Sequence, residues 1–258
     1  MKRFFFAATI VIASLSACKK EESITPTAEF SVSGVTGNSM TMGTFDQYTV
    51  SNLSTDAASY LWDLGNGTTF NTKDIVLTYP KSGDYVLSLT STSKDGKTSV
   101  STKNVKVVNP ILNQVVVKSI TQNLFDRLGS SKAKVWVEIV KAEHDRDYPV
   151  LSNGSFDAPV IYKSPVATDV IVGAAPIVFH LPQEIVIDIP TLAIAHGYKG
   201  RGYGFNLYGE GDNGVAQLLS SNFWSGFGMV VQGSIPRNNF TIRTGGYGSS
   251  MDFVGYYR

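Results

Sequence analysis

Short runs of Val, Thr, Ile, Tyr and Phe, each broken by Gly, Pro or Asn, follow one another along most of this 258-residue chain. Few stretches repeat apolar residues at the spacing of a helix. Alternating runs bounded by turn residues are what a half-buried strand requires, because successive side chains point to opposite faces of a sheet. The pattern predicts an all-β protein. Cys18 is the only cysteine, so no disulfide can form within the chain, and stability must come from burial. A hydrophobic content of 43% is enough to supply a core.

The first group of strands spans residues 27–108. Within Ser59-Tyr60-Leu61-Trp62-Asp63-Leu64-Gly65-Asn66-Gly67, Tyr60, Trp62 and Leu64 share one face of a strand, and a glycine-rich turn follows. Tyr79-Pro80-Lys81-Ser82-Gly83-Asp84-Tyr85 leads into a second strand, where Tyr85, Leu87 and Leu89 alternate with Val86, Ser88 and Thr90. Asp95-Gly96 then turns the chain into Thr98–Val108. These residues closely resemble the PKD family, which is built on a Trp-Asp-Phe-Gly-Asp-Gly turn and a Tyr-x-x-x-Gly-x-Tyr strand entry. Tyr48-Thr49-Val50-Ser51-Asn52-Leu53-Ser54 is similar to another strand of that family. The chain departs from the pattern at Leu64 and at Asn66, and the second change removes a carboxylate from the turn. The resemblance implies an immunoglobulin-like β-sandwich with Trp62 in its core and Asp63 bonding to the turn backbone. It implies spacing, adhesion or ligand presentation outside the cell, not catalysis.

The chain opens with Lys2 and Arg3, an apolar run from Phe4 to Ile12, and Leu15-Ser16-Ala17-Cys18. That apolar run is shorter than the ~20 residues a membrane-spanning helix needs, and its layout is that of an export signal. It resembles the lipobox of a bacterial lipoprotein precursor. The resemblance implies cleavage after residue 17 and acylation of Cys18, with residues 18–26 as a polar tether. Each methylene buried in lipid would contribute about 0.8 kcal/mol to anchoring. Lys19-Lys20-Glu21-Glu22 is similar to the export signal of surface lipoproteins in Bacteroidetes-type bacteria. This favours an outer-membrane, lipid-anchored protein facing outward over one facing the periplasm. Cleavage would remove two of the 22 basic side chains, leaving 20 against 21 acidic ones. Such a balance gives no field for nucleic acid.

Asn109-Pro110 marks the boundary, since proline cannot donate in a ladder and restricts the residue before it. Residues 111–258 read as a second antiparallel β-sandwich. Strands are expected at Val115–Ile120, Lys132–Val140, Pro159–Lys163, Pro176–Leu181, Glu184–Ile189, Gly202–Gly209, Phe227–Ile235, Phe240–Thr244 and Ser250–Tyr257. In the second of these, Ala133, Val135, Val137 and Ile139 oppose Lys134, Trp136, Glu138 and Val140. The Lys134–Ile139 strand and Phe205-Asn206-Leu207-Tyr208-Gly209-Glu210-Gly211-Asp212 resemble a C2-type sandwich or a related jelly roll. That resemblance implies calcium held by loop carboxylates, here Asp157, Asp169, Glu210 and Asp212. Calcium wants six to eight oxygen ligands, and glycines replace part of the usual acidic pair, so calcium is the one cofactor left open.

Seventeen of the 24 glycines fall in this second domain. No Lys-Ser/Thr pair follows them, so they are not a phosphate cradle. Tyr198 and Tyr203 flank Lys199-Gly200-Arg201, and Trp224 lies in a Ser/Gly-rich stretch. Tyr198, Tyr203 and Trp224 are the candidate ligand-binding residues, as aromatics that would stack on sugar rings. Tyr198 and Trp224 are equally open to a core role, while Phe205, Phe227 and Phe253 belong to the core. Of the three histidines, His144, His180 and His196, His144 sits in a charged loop after the Lys132–Val140 strand, and His180 interrupts an apolar run as a partly buried strand residue. The chain has no His-Glu-x-x-His and no Gly-x-Ser-x-Gly elbow. No catalytic residue is assigned, and the reading is non-catalytic. The expected function is presentation of the second sandwich by the PKD domain, to bind a glycan or an envelope or surface protein. The alternatives are a structural subunit of an envelope complex and an extracellular hydrolase acting on polysaccharide.

Overall fold

The computed structural model describes residues 23–142, 148–149, 151–152, 157–174, 176–187, 202–221, 228–234, 238–246 and 248–258. No helix among them is long and apolar enough to cross a membrane.

Residues 23–108 fold as two facing sheets. Strands β1 (Phe30–Val32), β3 (Tyr48–Asn52) and β6 (Ile75–Leu77) form one antiparallel sheet in the order β1-β3-β6. The other contains β2 (Ser39–Gly43), β4 (Ser59–Asp63), β5 (Thr69–Phe70), β7 (Gly83–Thr92) and β8 (Thr98–Val108), in the order β2-β8-β7-β4-β5. Only the β2–β8 pair is parallel. Alternation decides which residues face inward. Trp62 and Leu64, Leu87 and Leu89, and Val105 and Val107 are all buried between the sheets. The Trp62 indole lies edge-on to Phe30, with centroids 5.2 Å apart, and its Nε1–H donates to the Thr72 carbonyl at 3.0 Å. Tyr79 is fully buried and its hydroxyl donates to the Leu64 carbonyl at 2.9 Å. Burial pushes that phenol well above its ordinary range, with the charges of Tyr85 and Asp63 adding. Asp63 Oδ1 accepts the Gly65 N–H at 2.8 Å, and Asn66 Oδ1 accepts the Thr68 N–H at 3.0 Å. Asp63 is thus a turn-forming residue, as its position suggests.

The second sandwich also has two sheets. One contains β9 (Pro110–Ile120), β13 (Ile177–Val186), β16 (Gly228–Ser234), β17 (Asn239–Gly246) and β18 (Ser249–Tyr257), in the order β13-β9-β18-β17-β16. The other contains β10 (Ala133–Ala142), β11 (Val160–Lys163), β14 (Gly202–Glu210) and β15 (Ala216–Ser221), in the order β11-β10-β14-β15. A short strand, β12 (Ala167–Val170), also pairs with β10. All these pairings are antiparallel. Val115, Val135, Val137, Ile139, Phe205, Leu207, Ile242 and Phe253 fill the space between the sheets. Phe205 and Phe253 meet there at 4.1 Å between ring centroids.

The strands differ in several places from the strand-by-strand expectation, which contains neither β12 nor β15. Residues 176–189 were read as two strands, but β13 is a single strand whose register breaks between His180 and Ile185. Leu181-Pro182-Gln183-Glu184 stay within the strand across that break. Among the described residues the chain also carries one helix, α1 (Gln122–Leu128), where the sequence pattern signals none. Its two turns bury only Leu124, Phe125 and Leu128, too few to set a period. It ends at Gly129 in the left-handed conformation (φ 62°), whose N–H bonds back to the last turn. The Arg127 guanidinium donates to the Leu218 and Leu219 carbonyls at 2.9 and 3.2 Å, so the helix covers part of the β15 edge.

Candidate functional site

Strand β10 turns Val135, Val137 and Ile139 to the core, which leaves Trp136 and Glu138 on the outer face of its sheet. Register sets their neighbours. Trp136 stands opposite Tyr208, and Tyr208 opposite Leu218, giving an apolar row across three strands. The next row runs Lys163, Glu138, Asn206, Ser221 across four strands. An outward apolar row on a sheet is unusual unless something covers or binds it. Trp136 is 7% exposed and Tyr208 4% exposed, so this face is built over.

The two rows are tied together. The Trp136 and Tyr208 rings are nearly parallel (8°), with centroids 5.5 Å apart. On the β11 side, Lys163 Nζ lies 5.2 Å from the Trp136 ring centroid, a cation–π distance. The indole is therefore held by both a ring and a cation, and little of it is left exposed. Its Nε1–H donates to Glu138 Oε1 at 3.2 Å, and Lys163 Nζ reaches the same oxygen at 2.9 Å. Glu138 is thus an oriented carboxylate with one oxygen not committed to these two donors. Beside it, the Asn206 side chain is buried, and neither its amide nitrogen nor its oxygen has a hydrogen-bond partner among the described residues.

A hollow of about 310 Å3 opens over these residues. Trp136, Glu138, Lys163 and Tyr208 line it together with the exposed carboxylate Asp157. Val140, Leu151, Ala158, Val160 and Ala216 give it apolar walls. Val140 packs with Ala142, Tyr148 and Ala158 in a small separate cluster, which fixes the wall to the sheet. Such a lining can accept and donate hydrogen bonds while covering an apolar face, the combination a small polar ligand with apolar surface requires.

The residues expected from sequence fare unevenly. Tyr203 is not a ligand platform: it is 2% exposed and packs with Phe205 and Leu207 in the core, with its hydroxyl 3.5 Å from the Val186 carbonyl. Tyr203 shares the inward face of β14 with Phe205 and Leu207, and Tyr208 stands on the outward face with Asn206 and Glu210. Cys18, Tyr198 and Trp224 lie outside the described residues, as do His144, His196 and Phe227. His180 is exposed, not partly buried, because β13 turns Phe179 inward.

The four carboxylates proposed for calcium do not form one site. Glu210 pairs with Lys134 at 2.7 Å, and Asp169 lies 3.5 Å from Lys132. Asp212 accepts a hydrogen bond from Ser130 Oγ at 2.9 Å. Asp157 alone lines the hollow. Two of the four are neutralised by lysines, and among the described residues no three His, Cys, Asp or Glu side chains gather as metal ligands. The hollow itself was missed. Its one signal was Trp136 set among Lys134 and Glu138 on the polar side of a strand.

The family model for the PKD domain matches residues 27–106. Residues 27–106 are a PKD domain. The PKD1 domain of the Vibrio cholerae metalloprotease PrtV is 32% identical, with 33% of this chain and 98% of that one covered and a TM-score of 0.26. The PKD1 domain of Vibrio anguillarum Epp is 29% identical, covering 33% of this chain and 96% of that one, with a TM-score of 0.27. A third structure, of carbohydrate-binding modules of the β-sandwich superfamily described as promiscuous in specificity, covers 92% of this chain and 99% of its own, at 13% identity and a TM-score of 0.29. No curated protein matches the chain.

Proposed function

We propose that this chain is a non-catalytic lipoprotein of the cell envelope, anchored through an acylated Cys18 and displayed outside the outer membrane. In this reading the PKD domain is the arm and the second sandwich binds a glycan. The observation that carries the binding role is the hollow on the outer face of β11-β10-β14-β15, with the oriented Glu138 carboxylate, Lys163, Asp157 and the edges of Trp136 and Tyr208. A sugar offers hydroxyl groups for the first three and apolar C–H faces for the rings and for Leu151 and Val160. Because Trp136 and Tyr208 are largely buried, recognition rests on hydrogen bonds more than on face-to-face stacking.

A glycan array with residues 19–258, followed by calorimetry on the best ligand, tests this. Glu138→Gln and Asp157→Asn keep the shape of the side chains and are expected to weaken binding about tenfold or more, the scale of one charge-assisted hydrogen bond. Full-strength binding by both variants would sink the assignment of the site. Cleavage of the bound glycan, lost in Glu138→Gln, would replace the binding role with a hydrolase.

A further inference from the structure

A single residue, Asn109, separates β8 from β9. Its N–H donates to the Arg258 carbonyl at 2.6 Å, and its carbonyl accepts the Arg258 N–H at 2.9 Å. Two residues that exchange both bonds form a closed antiparallel pair. The next rung, Pro110 opposite Tyr257, already belongs to the β9–β18 ladder. The ladder of the second sandwich thus extends onto the connecting residue and leaves it no freedom of its own.

Both domains hold this junction. On the PKD side, the Asn109 amide nitrogen donates to Ser82 Oγ at 2.9 Å, and the Thr44 N–H donates to the Val108 carbonyl at 3.0 Å. On the other side, the Ile187 N–H donates to the Pro110 carbonyl at 2.9 Å. The Arg258 guanidinium makes two bonds to the Glu184 carboxylate, at 2.7 and 2.5 Å, and the Tyr256 hydroxyl donates to it at 2.6 Å. The half-buried Tyr257 ring packs on Phe240 at 5.3 Å. Burial raises its phenol pKa, and Asp46 and Tyr48 of the PKD domain add to that shift.

Domains joined by a linker ordinarily move relative to one another. Here we infer that they form one rigid arm, latched by the backbone pair between Asn109 and Arg258. The latch fixes the direction in which the second sandwich points, whatever ligand that sandwich takes.

Nitrogen-15 relaxation on residues 19–258 reads this directly. The expected result is one rotational correlation time for both domains and strong exchange protection of the Asn109 amide. A Gly-Ser-Gly-Ser insertion after Val108, or removal of Arg258, is expected to split the correlation time into two. Arg258→Ala keeps the backbone pair and should leave one. Separate correlation times in the unaltered chain, or an unprotected Asn109 amide, would overturn the inference even if the truncated variant failed to fold. An unchanged single correlation time after removal of Arg258 would overturn the latch.

Discussion

Trp62 illustrates how much one side chain does in a small sandwich. It is fully buried, bonded through its indole N–H, and in edge contact with Phe30. Trp62→Ala is expected to cost about 3–5 kcal/mol, the range for a large aromatic removed from a core, read as a lower denaturant midpoint. Gly65 is under a different constraint. Its φ is +75°, and a Cβ there would sit 2.8 Å from the Val86 carbonyl oxygen and 2.9 Å from the Val86 nitrogen. Gly65→Ala should therefore lose more than the ~1–2 kcal/mol of a left-handed backbone alone, because backbone must move. Asn206 is the opposite case, a residue that weakens the free protein. Each buried polar group left without a partner costs about 1–3 kcal/mol. Asn206→Leu is expected to raise the melting temperature and, on the proposed function, to weaken glycan binding. A lower melting temperature would show that the carboxamide is structural.

At the scale of elements, charges laid across neighbouring strands tie the second sandwich together. On β18, Asp252 takes Arg243 of β17 through both its oxygens, at 2.9 and 3.3 Å, with Lys118 of β9 at 3.4 Å. Burial alone would raise the Asp252 pKa, but the Arg243 hydrogen bonds and charge, with Lys118, outweigh it and hold the carboxyl below its ordinary value. A carboxyl with a depressed folded pKa stabilises the fold above its unfolded pKa and loses that contribution as pH falls through the folded one. Acid unfolding of Asp252→Asn should therefore depend less on pH below about 4, measured as melting temperature against pH. The same local pairing bears on metal. Since Lys134 and Lys132 hold Glu210 and Asp169, chelation with EDTA should leave both melting temperature and glycan binding unchanged.

At the scale of the whole molecule, each sandwich folds around a core of its own. The PKD domain buries Trp62, Tyr79, Leu87 and Leu89 within itself. The second sandwich has its own core, and the junction at Asn109 joins them through backbone bonds. On the proposed function, Cys18→Ser should move the protein from the membrane fraction to the soluble fraction of the envelope and abolish lipid labelling. Protease accessibility on whole cells would then report which way the protein faces.

Most of the PKD domain was legible in the sequence because its determinants are local: the Trp62–Gly67 turn, the Tyr79–Tyr85 entry and the alternation of Leu87 and Leu89 lie within short stretches. The all-β class followed from the same alternation. The outer-face hollow was not legible, because it depends on pairing between strands far apart in the chain. Trp136, Lys163 and Tyr208 become neighbours only through the β11-β10-β14 register, and nothing near any one of them records the other two. Strand β14 shows the limit most plainly. Its alternation puts Tyr203, Phe205 and Leu207 on one face, and Tyr208 with Asn206 and Glu210 on the other. Alternation determined that they would point apart, but only the tertiary structure decided that both would be buried, Tyr203 between the sheets and Tyr208 against Trp136 on the outer face.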